Sequence, residues 1–204
     1  MSEIETNTKK SGMTLWIMIV LFGLPYVAAM YVYMNSDEMD LGGGSNYGYL
    51  VTPARPLQDM GFTTLQGEAF QFSSMKGKWI LLSVGHSACA EACRENLYNM
   101  RQIRKAVGQD TKRIERVFLL MDNDQLQEFG EQVKNYQGMT VLQKAGVQYE
   151  AFLSDFVYDN KNKVEDGLYV IDPLGNYMMA YPAGADPNNI LKDVRRLLKV
   201  SQIG

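Results

Sequence analysis

Histidine and cysteine are scarce in this chain, which has one His and two Cys among 204 residues. A single histidine argues against a zinc or iron centre built from several imidazoles. The sequence also lacks a glycine-rich phosphate loop, a paired-cysteine zinc pattern and a His-Glu-x-x-His motif. A serine triad would have to use His86 and lacks the Gly-x-Ser-x-Gly turn. The common metal-hydrolase and serine-hydrolase chemistries are therefore disfavoured.

Excess positive charge is absent as well, because the formal net charge is −3. The basic residues concentrate in 94–116: Arg94, Arg101, Arg104, Lys105, Lys112, Arg113 and Arg116. Three acidic residues are interspersed among them: Glu95, Asp110 and Glu115. This mixture is typical of a solvated helix face, and we expect no nucleic-acid partner.

One long apolar segment stands near the N-terminus. No charged residue occurs in 13–34, and as a helix these residues would span about 33 Å, close to the thickness of a bilayer's hydrocarbon core. Trp16 lies near one end, and Tyr31 and Tyr33 lie near the other, as in an interfacial aromatic belt. A cleaved signal peptide is the alternative, but the apolar span is long for one. The pattern predicts a single transmembrane helix that anchors the chain.

Lys9 and Lys10 precede this segment and predict that the N-terminus faces the cytoplasm. The expected organisation is a cytoplasmic tail over 1–12, the membrane helix, a flexible glycine-containing linker over 35–56, and a folded domain over 57–204. In a bacterium this arrangement places the protein in the inner membrane and the folded domain in the periplasm, where a close cysteine pair is oxidised unless a reductant maintains it.

Within 57–204, apolar periodicity and turn residues predict alternating strands and helices. A short hairpin over 62–72 precedes the strands and helices, which we expect at 79–84, 91–107, 116–121, 125–136, 168–171, 177–181 and from 187 onwards. A strand near 140–142 and a helix near 144–153 are less clearly marked. This order predicts an α/β domain, a mixed sheet with helices on both faces.

The chain's cysteines and its histidine all fall in one stretch, 85–93, between a predicted strand and a predicted helix. Cys89 and Cys93 are four residues apart, so they can share one face of a helix with Cβ atoms about 5–6 Å apart. The N-terminus of a helix favours thiolate over thiol. With modest rearrangement the pair could close a disulfide or bind one soft metal ion. Two buried core cysteines are the alternative, and His86 could be a solvated loop residue instead of a ligand.

The element order, with Cys-x-x-x-Cys after the third strand, resembles a thioredoxin-like fold. More narrowly, the chain resembles the Sco/SenC family of membrane-anchored copper proteins that assemble cytochrome c oxidase. The resemblance covers about 60–200 and includes, besides the anchor, these motifs: Lys76-Gly77-Lys78-Trp79, Cys89-Ala90-Glu91-Ala92-Cys93, Met121-Asp122 and Ile171-Asp172-Pro173-Leu174-Gly175. It implies Cu(I) as cargo, Cys89 and Cys93 as two of its ligands, and an oxidase subunit or another assembly factor as partner.

The resemblance breaks at the third copper ligand. The family histidine is expected within Val164-Glu165-Asp166-Gly167, and none of these residues is histidine. The family's proline after the first cysteine is Ala90 here. The chain is therefore predicted to be a divergent Sco-like protein with weakened or altered copper binding. Two thiolates alone can hold Cu(I), and His86, or less readily Met178 or Met179, could supply a substitute ligand.

Three functions remain open. The first is an assembly factor that handles Cu(I) or the thiol redox state of a copper site through Cys89 and Cys93. The second is a periplasmic thiol–disulfide oxidoreductase, in which Cys89, expected to be the more exposed, attacks and Cys93 resolves. Thioredoxin-type redox centres have two residues between their cysteines and usually a cis-proline that faces the thiols. Here three residues lie between the cysteines and no proline lies just before 168–171, which argues against this enzyme. The third is a non-catalytic assembly protein that keeps the fold.

Overall fold

The computed structural model describes residues 5–34, 46–144, 146, 148–159, 163–201 and 203. The chain divides into two compact units, with the boundary between Ser45 and Asn46. The first contains helix α1, Glu5–Met34. The second contains, in chain order, β1 Tyr49–Pro56, β2 Phe62–Thr63, β3 Ala69–Phe70, β4 Trp79–Gly85, α2 Glu91–Ala106, β5 Ile114–Leu120, α3 Leu126–Val133, β6 Met139–Leu142, α4 Tyr149–Ser154, β7 Leu168–Ile171, β8 Asn176–Tyr181 and α5 Pro187–Val200.

Helix α1 includes the apolar segment near the N-terminus. Its part Gly12–Met34 is long and apolar enough to cross a membrane, and the side chains there are largely exposed. Pro25 lies inside the helix, which membrane helices tolerate. The helix begins at Glu5, so it extends into the segment predicted as a tail over 1–12. The helical continuation carries the polar residues that precede the apolar segment.

A six-stranded mixed sheet organises the second unit, in the order β1-β8-β7-β4-β5-β6. Strands β4, β5 and β6 pair in parallel. On the other side of β4, each neighbouring pair is antiparallel: β7 with β4, β8 with β7 and β1 with β8. All seven residues of β4 are buried, as expected for a strand covered on both faces. Strands β2 and β3 form a separate small sheet.

Helices cover both faces of the sheet and divide the core into two clusters. On one face, α2, α3 and α5 contribute the buried residues Leu97, Met100, Ile103, Phe129, Ile190, Val194 and Leu198. On the other face, α4 and the β2–β3 region contribute an aromatic cluster that includes Phe62, Phe70, Phe72, Phe152 and Phe156. The predicted mixed sheet flanked by helices is confirmed.

The linker predicted over 35–56 is wrong in its second half. Tyr49–Pro56 is the edge strand β1, paired antiparallel with β8. Prolines are tolerated on an edge strand because one row of its backbone groups needs no ladder partner, so Pro53 and Pro56 do not exclude a strand. The first part of the predicted linker, 35–45 with its three glycines, lies outside the described residues.

A buried carboxylate fixes the start of the second unit. Asp193 of α5 is 2% exposed and accepts hydrogen bonds from the backbone N–H groups of Tyr47 (2.8 Å) and Gly48 (2.9 Å) and from the Tyr181 hydroxyl (2.9 Å). These contacts attach residues 47–48, just before β1, to the last helix. The folded domain therefore begins near Asn46 and not at residue 57.

Candidate functional site

Cys89 and Cys93 form a disulfide at the start of α2. The Cα atoms are 5.1 Å apart, Cys89 lies two residues before the helix, and Cys93 is its third residue. Both residues are buried, with 1% and 2% exposure. The expectation that Cys89 is the more exposed thiol is therefore wrong, because its side chain packs with Cys93 in the core cluster of that face of the sheet.

The backbone at Cys89 is in the left-handed region, with φ +34°, which residues with a Cβ rarely adopt. Two contacts hold it there. Its N–H donates to the carbonyl oxygen of His86 (3.1 Å), and its own carbonyl accepts from Nη1 of Arg94 (3.0 Å). A strained backbone conformation of this kind costs on the order of 1–3 kcal/mol and is concentrated at functional sites.

His86 lies between carboxylates that come from other loops. Its Nδ1 is hydrogen-bonded to Oδ2 of Asp122, and its Nε2 is 3.6 Å from Oε1 of Glu165. Among residues 46–144 and the described residues beyond, no three His, Cys, Asp or Glu side chains group as a metal-binding set. The structure thus gives His86 an acidic environment, and its role as a substitute copper ligand stays a prediction.

Asp122, two residues after β5, holds the cysteine loop in place. Its Oδ1 accepts hydrogen bonds from the Ser87 hydroxyl and from the N–H of Ser87 (3.2 Å) and Asp124 (3.4 Å). Burial would raise the pKa of this carboxyl, but the hydrogen bonds from Ser87, His86 and the backbone outweigh burial and lower the pKa of Asp122 to about 2. The Ser87 hydroxyl in turn accepts the N–H of Gln125 (3.0 Å), which extends the network to the start of α3.

Asp166 occupies the segment where the family histidine is expected. A Cβ on Gly85 would lie 3.5 Å from Oδ1 of Asp166 and 3.7 Å from Sγ of Cys93, so this carboxyl and the disulfide flank the same glycine. Burial raises the pKa of Asp166, the charge of Glu165 raises it further, and His86 opposes both. The N–H of Asp166 donates to the Val84 carbonyl (2.9 Å). A carboxyl group with a raised pKa therefore lies near the cysteine pair.

The sheet explains why these residues meet. Strands β4 and β5 are parallel and pair Gly85 with Leu120, so the loops that follow them leave the sheet at the same edge. Strand β7 is antiparallel to β4, so the residues that precede it reach that edge as well. Local sequence patterns predict no role for Ser87, Asp122, Glu165 and Asp166. The sequence contains a signal for Asp122, which directly follows the apolar run that forms β5. A polar residue at the end of a strand that is parallel to β4 is expected near the cysteine loop.

The chemistry open to this arrangement is that of two sulfurs. The disulfide accepts two electrons and two protons to become a dithiol. Once it is reduced, the unpaired N–H groups at the start of α2 favour the thiolate form of the pair. Two thiolates at this spacing fit one soft cation such as Cu(I), whereas a three-ligand site would need a residue that the described part of the chain does not place with them.

The comparison with protein families decides the membership of the chain. Residues 79–201, from β4 through α5 and including both cysteines, match the model of the transmembrane-like, thioredoxin-like, C-terminal domain family. The chain belongs to this family. Its transmembrane-like, thioredoxin-like domain thus accompanies an N-terminal helix of membrane-spanning length. No curated protein sequence matches the chain.

Solved structures similar to this transmembrane-like, thioredoxin-like domain include Sco proteins and a thiol:disulfide interchange protein. Copper-bound yeast Sco1 is 16% identical with a TM-score of 0.60, over 73% of this chain and 95% of that one. Copper-bound ScoI of Bradyrhizobium japonicum is 17% identical with a TM-score of 0.55, over 70% and 99%. The interchange protein of Chlorobium tepidum, a thioredoxin family protein, is 19% identical with a TM-score of 0.56, over 71% and 97%. These likenesses confirm the thioredoxin-like fold.

Proposed function

We propose that the chain is a divergent, membrane-anchored Sco-like protein that sets the thiol redox state of a copper site during assembly of cytochrome c oxidase. The observation that carries the proposal is the Cys89–Cys93 disulfide, which closes at the first turn of α2 beside the carboxyl of Asp166. The Sco proteins and the interchange protein among its structural neighbours support the same chemistry.

The reduced pair acts on a disulfide of the partner. The Cys89 thiolate attacks one partner sulfur, which breaks the partner's disulfide, forms a mixed disulfide and releases a partner thiolate. The Cys93 thiolate then attacks Sγ of Cys89, releases the second partner thiolate and closes the bond present in the structure. Two electrons pass to the partner, and the two protons of the pair end on the partner's thiols. A dithiol reductant returns the pair to its starting state.

Access to the sulfurs requires the loop before α2 to open, because both cysteines are buried. The left-handed backbone at Cys89 supports such opening, since its relief would favour the open loop. We assign Asp166 as the group that exchanges a proton with Cys93, because its carboxyl lies near Gly85 as Cys93 does and burial raises its pKa. The closed loop protects the pair between encounters.

Mixed-disulfide trapping tests this reaction. With glutathione disulfide as the partner, Cys93→Ser is expected to leave Cys89 able to form a stable mixed disulfide. The matched variant Cys89→Ser, which keeps only the sulfur inside α2, is expected to react at least about tenfold more slowly, because Cys93 is assigned the resolving and not the attacking role. Equal rates for the two variants would contradict the assigned roles.

We also propose that the same pair, in its reduced form, binds Cu(I). The observations in favour are the two-sulfur donor set and the copper bound in the yeast and Bradyrhizobium Sco structures. A titration of the reduced chain with Cu(I) against a competing chelator is expected to give one bound ion per chain. The Cys89→Ser/Cys93→Ser double variant should not compete with the chelator, and His86→Ala measures whether the histidine contributes. Binding that survives the double variant would remove the cysteines from the copper site.

An assembly protein without thiol chemistry is the competing proposal, and the burial of both sulfurs favours it. In cells that depend on the oxidase, the non-catalytic function predicts normal oxidase levels for Cys89→Ser and Cys93→Ser. The redox proposal predicts that each variant lowers oxidase activity as strongly as deletion of the gene.

The proposal places α1 in the bacterial inner membrane with the N-terminus in the cytoplasm and the domain from Asn46 onwards in the periplasm. Lys9 and Lys10 support this orientation. The proposed partner is an oxidase subunit or another assembly factor on the periplasmic side. The orientation can be tested with variants that carry a single cysteine at residue 3 or at the exposed residue Gln109, by alkylation in intact cells. Labelling of residue 3 from outside the cell would contradict the proposed orientation.

A further inference from the structure

A basic pocket of about 420 Å³ lies between the C-terminal half of α2, strand β5 and the segment after α3. Five cationic side chains line it: Arg101, Arg104, Lys105, Arg116 and Lys134. Asn135 and Gln137 also line it, and the described lining residues include neither a carboxylate nor an apolar side chain. The pocket includes no residue of the cysteine loop.

Arg116 is the unusual member of this lining. It interrupts the apolar strand β5 between Glu115 and Val117 and is only 3% exposed. Its Nη2 donates to the Gln137 carbonyl (2.5 Å), but its Nε and Nη1 are buried and have no hydrogen-bond partner among the described residues. A buried charged donor without a partner is costly. The sequence-based expectation of a solvated cationic face is therefore wrong for this residue.

The neighbouring charges make the cost larger. Burial lowers the pKa of Arg116, the charges of Arg104 and Arg101 lower it further, and Glu115 only partly opposes them. A Cβ on Gly138 would be 3.7 Å from Nη2 of Arg116 and 4.0 Å from Nη1 of Arg104, so the two guanidinium groups approach the same point. Cations converge here against their mutual repulsion.

Few of these cations are neutralised by the protein itself. Lys134 pairs with Glu131 at 2.6 Å, whereas Arg101, Arg104, Lys105 and Arg116 form no ion pair within the described part of the chain. Arg104 is held by a hydrogen bond from its Nε to the Ile114 carbonyl (2.7 Å), which leaves its terminal nitrogens at the pocket. The missing component of the site is negative charge.

We propose that this pocket binds a small oxyanion with two or more negative charges, of the phosphate or phosphate-ester class. Arginine guanidinium groups are strong donors to the oxygens of such ligands, and Nε and Nη1 of Arg116 are two donors without a partner among the described residues. The lining residues that the structure describes all carry polar side chains, so we assign the site to a free oxyanion and not to the headgroup of a lipid. The volume suits a small ligand, not a nucleic-acid strand.

The test is calorimetric titration of the full chain in neutral detergent with inorganic phosphate and pyrophosphate. Both are expected to bind, pyrophosphate more tightly, with affinity that falls as salt rises. Arg101→Gln and Lys105→Gln should each weaken binding about tenfold, as expected for loss of one charge-assisted hydrogen bond. Lys112→Gln, an exposed lysine outside the pocket, is the matched control for Lys105→Gln and should change the affinity less than about twofold.

Arg116→Met should abolish binding and remove the increase in melting temperature that pyrophosphate gives to the unmodified chain. If that variant does not fold, the two variants at partly or fully exposed positions still decide the question. Absence of binding at millimolar anion, or equal effects of Lys105→Gln and Lys112→Gln, would overturn the proposal. Binding of short-chain phosphatidic acid about tenfold or more tighter than phosphate would overturn the assignment to a free ligand and identify a lipid headgroup site.

Discussion

Replacement of Asp122 by asparagine is the sharpest test of how the cysteine loop is held. The carboxylate accepts hydrogen bonds from Ser87, His86 and Asp124, and its side chain is 23% exposed. The asparagine side chain would keep one acceptor oxygen, but it would lose the negative charge and present an amide to His86. The change should therefore destabilise the domain without removing any packed atoms.

The magnitude follows from the pKa of Asp122. The pKa falls from an ordinary value of 3.8 to about 2, and each tenfold change in proton affinity corresponds to about 1.4 kcal/mol. The ionised form is thus stabilised by about 2 kcal/mol in the folded state. We expect Asp122→Asn to lower the free energy of unfolding by about that amount at pH 7.

The lowered pKa also predicts how the stability difference between the two proteins changes with pH. Because the folded-state pKa is the lower one, the stabilisation is fully present above about pH 5 and is lost as the pH falls from about 4 to about 2. At pH 2 the unmodified domain should therefore retain less than about 0.5 kcal/mol of this advantage over Asp122→Asn. The difference between the two proteins should shrink with acidification.

Urea unfolding of residues 46–204 measures both quantities. Asp124→Asn is the control, since Asp124 is an exposed carboxylate two residues away, and it should change stability by less than about 0.5 kcal/mol. Equal stability of the unmodified domain and Asp122→Asn at pH 7, or a difference that persists unchanged at pH 2, would refute the electrostatic account of this loop.

Two further predictions concern packing. A domain cut to residues 57–204 should be less stable than 46–204 by about 3 kcal/mol or more, because it loses strand β1 and the buried carboxylate of Asp193 loses two N–H donors; equal urea midpoints would contradict the contribution of residues 46–56 to the fold. Gly85→Ala should cost about 1–3 kcal/mol, because its Cβ would lie 2.9 Å from Cζ of Phe118. Gly130→Ala in α3 is the control, because no atom of the described residues lies within 4 Å of its added Cβ. Thermal melts of both variants should show that this change is neutral or stabilising. Similar melting temperatures for the two glycine variants would disprove the steric argument.

Local patterns in the sequence predict most elements of the domain. The apolar run 79–84 falls in β4, the expected helix 91–107 is α2, and Asp186 caps α5 by accepting the N–H of Asn188. These elements follow from side chains near in sequence, since periodicity and caps are local properties. Strand β1 was missed because its partner β8 lies more than a hundred residues away, and its prolines resemble a linker.

Of the candidate site, only the cysteine pair could be predicted from the sequence. The spacing of Cys89 and Cys93 indicates a pair that can close a disulfide, and the structure contains that bond. The contacts of His86 with Asp122 and Glu165 depend on three loops that meet only when parallel and antiparallel strands assemble around β4. Their pairing is set by sheet order, which residue spacing does not encode.

The basic pocket, too, depends on contacts that local sequence patterns do not predict. A charged residue inside an apolar strand, as Arg116 is, was a visible signal of a special position. Its meaning depends on Arg101 and Arg104 from α2 and on the carbonyl of Gln137, which the fold brings to one place. A helix-face interpretation of the local charges could not include these contacts.

The reduction potential of the Cys89–Cys93 pair tests the central claim most directly. The full chain would be equilibrated in thiol–disulfide buffers of graded potential, and its free thiols counted by alkylation. A redox-active pair should have a midpoint between about −280 and −180 mV, the range of cellular dithiol proteins. A midpoint at or below about −300 mV, as for structural disulfides, would show that the bond only stabilises the fold and would contradict the proposed function.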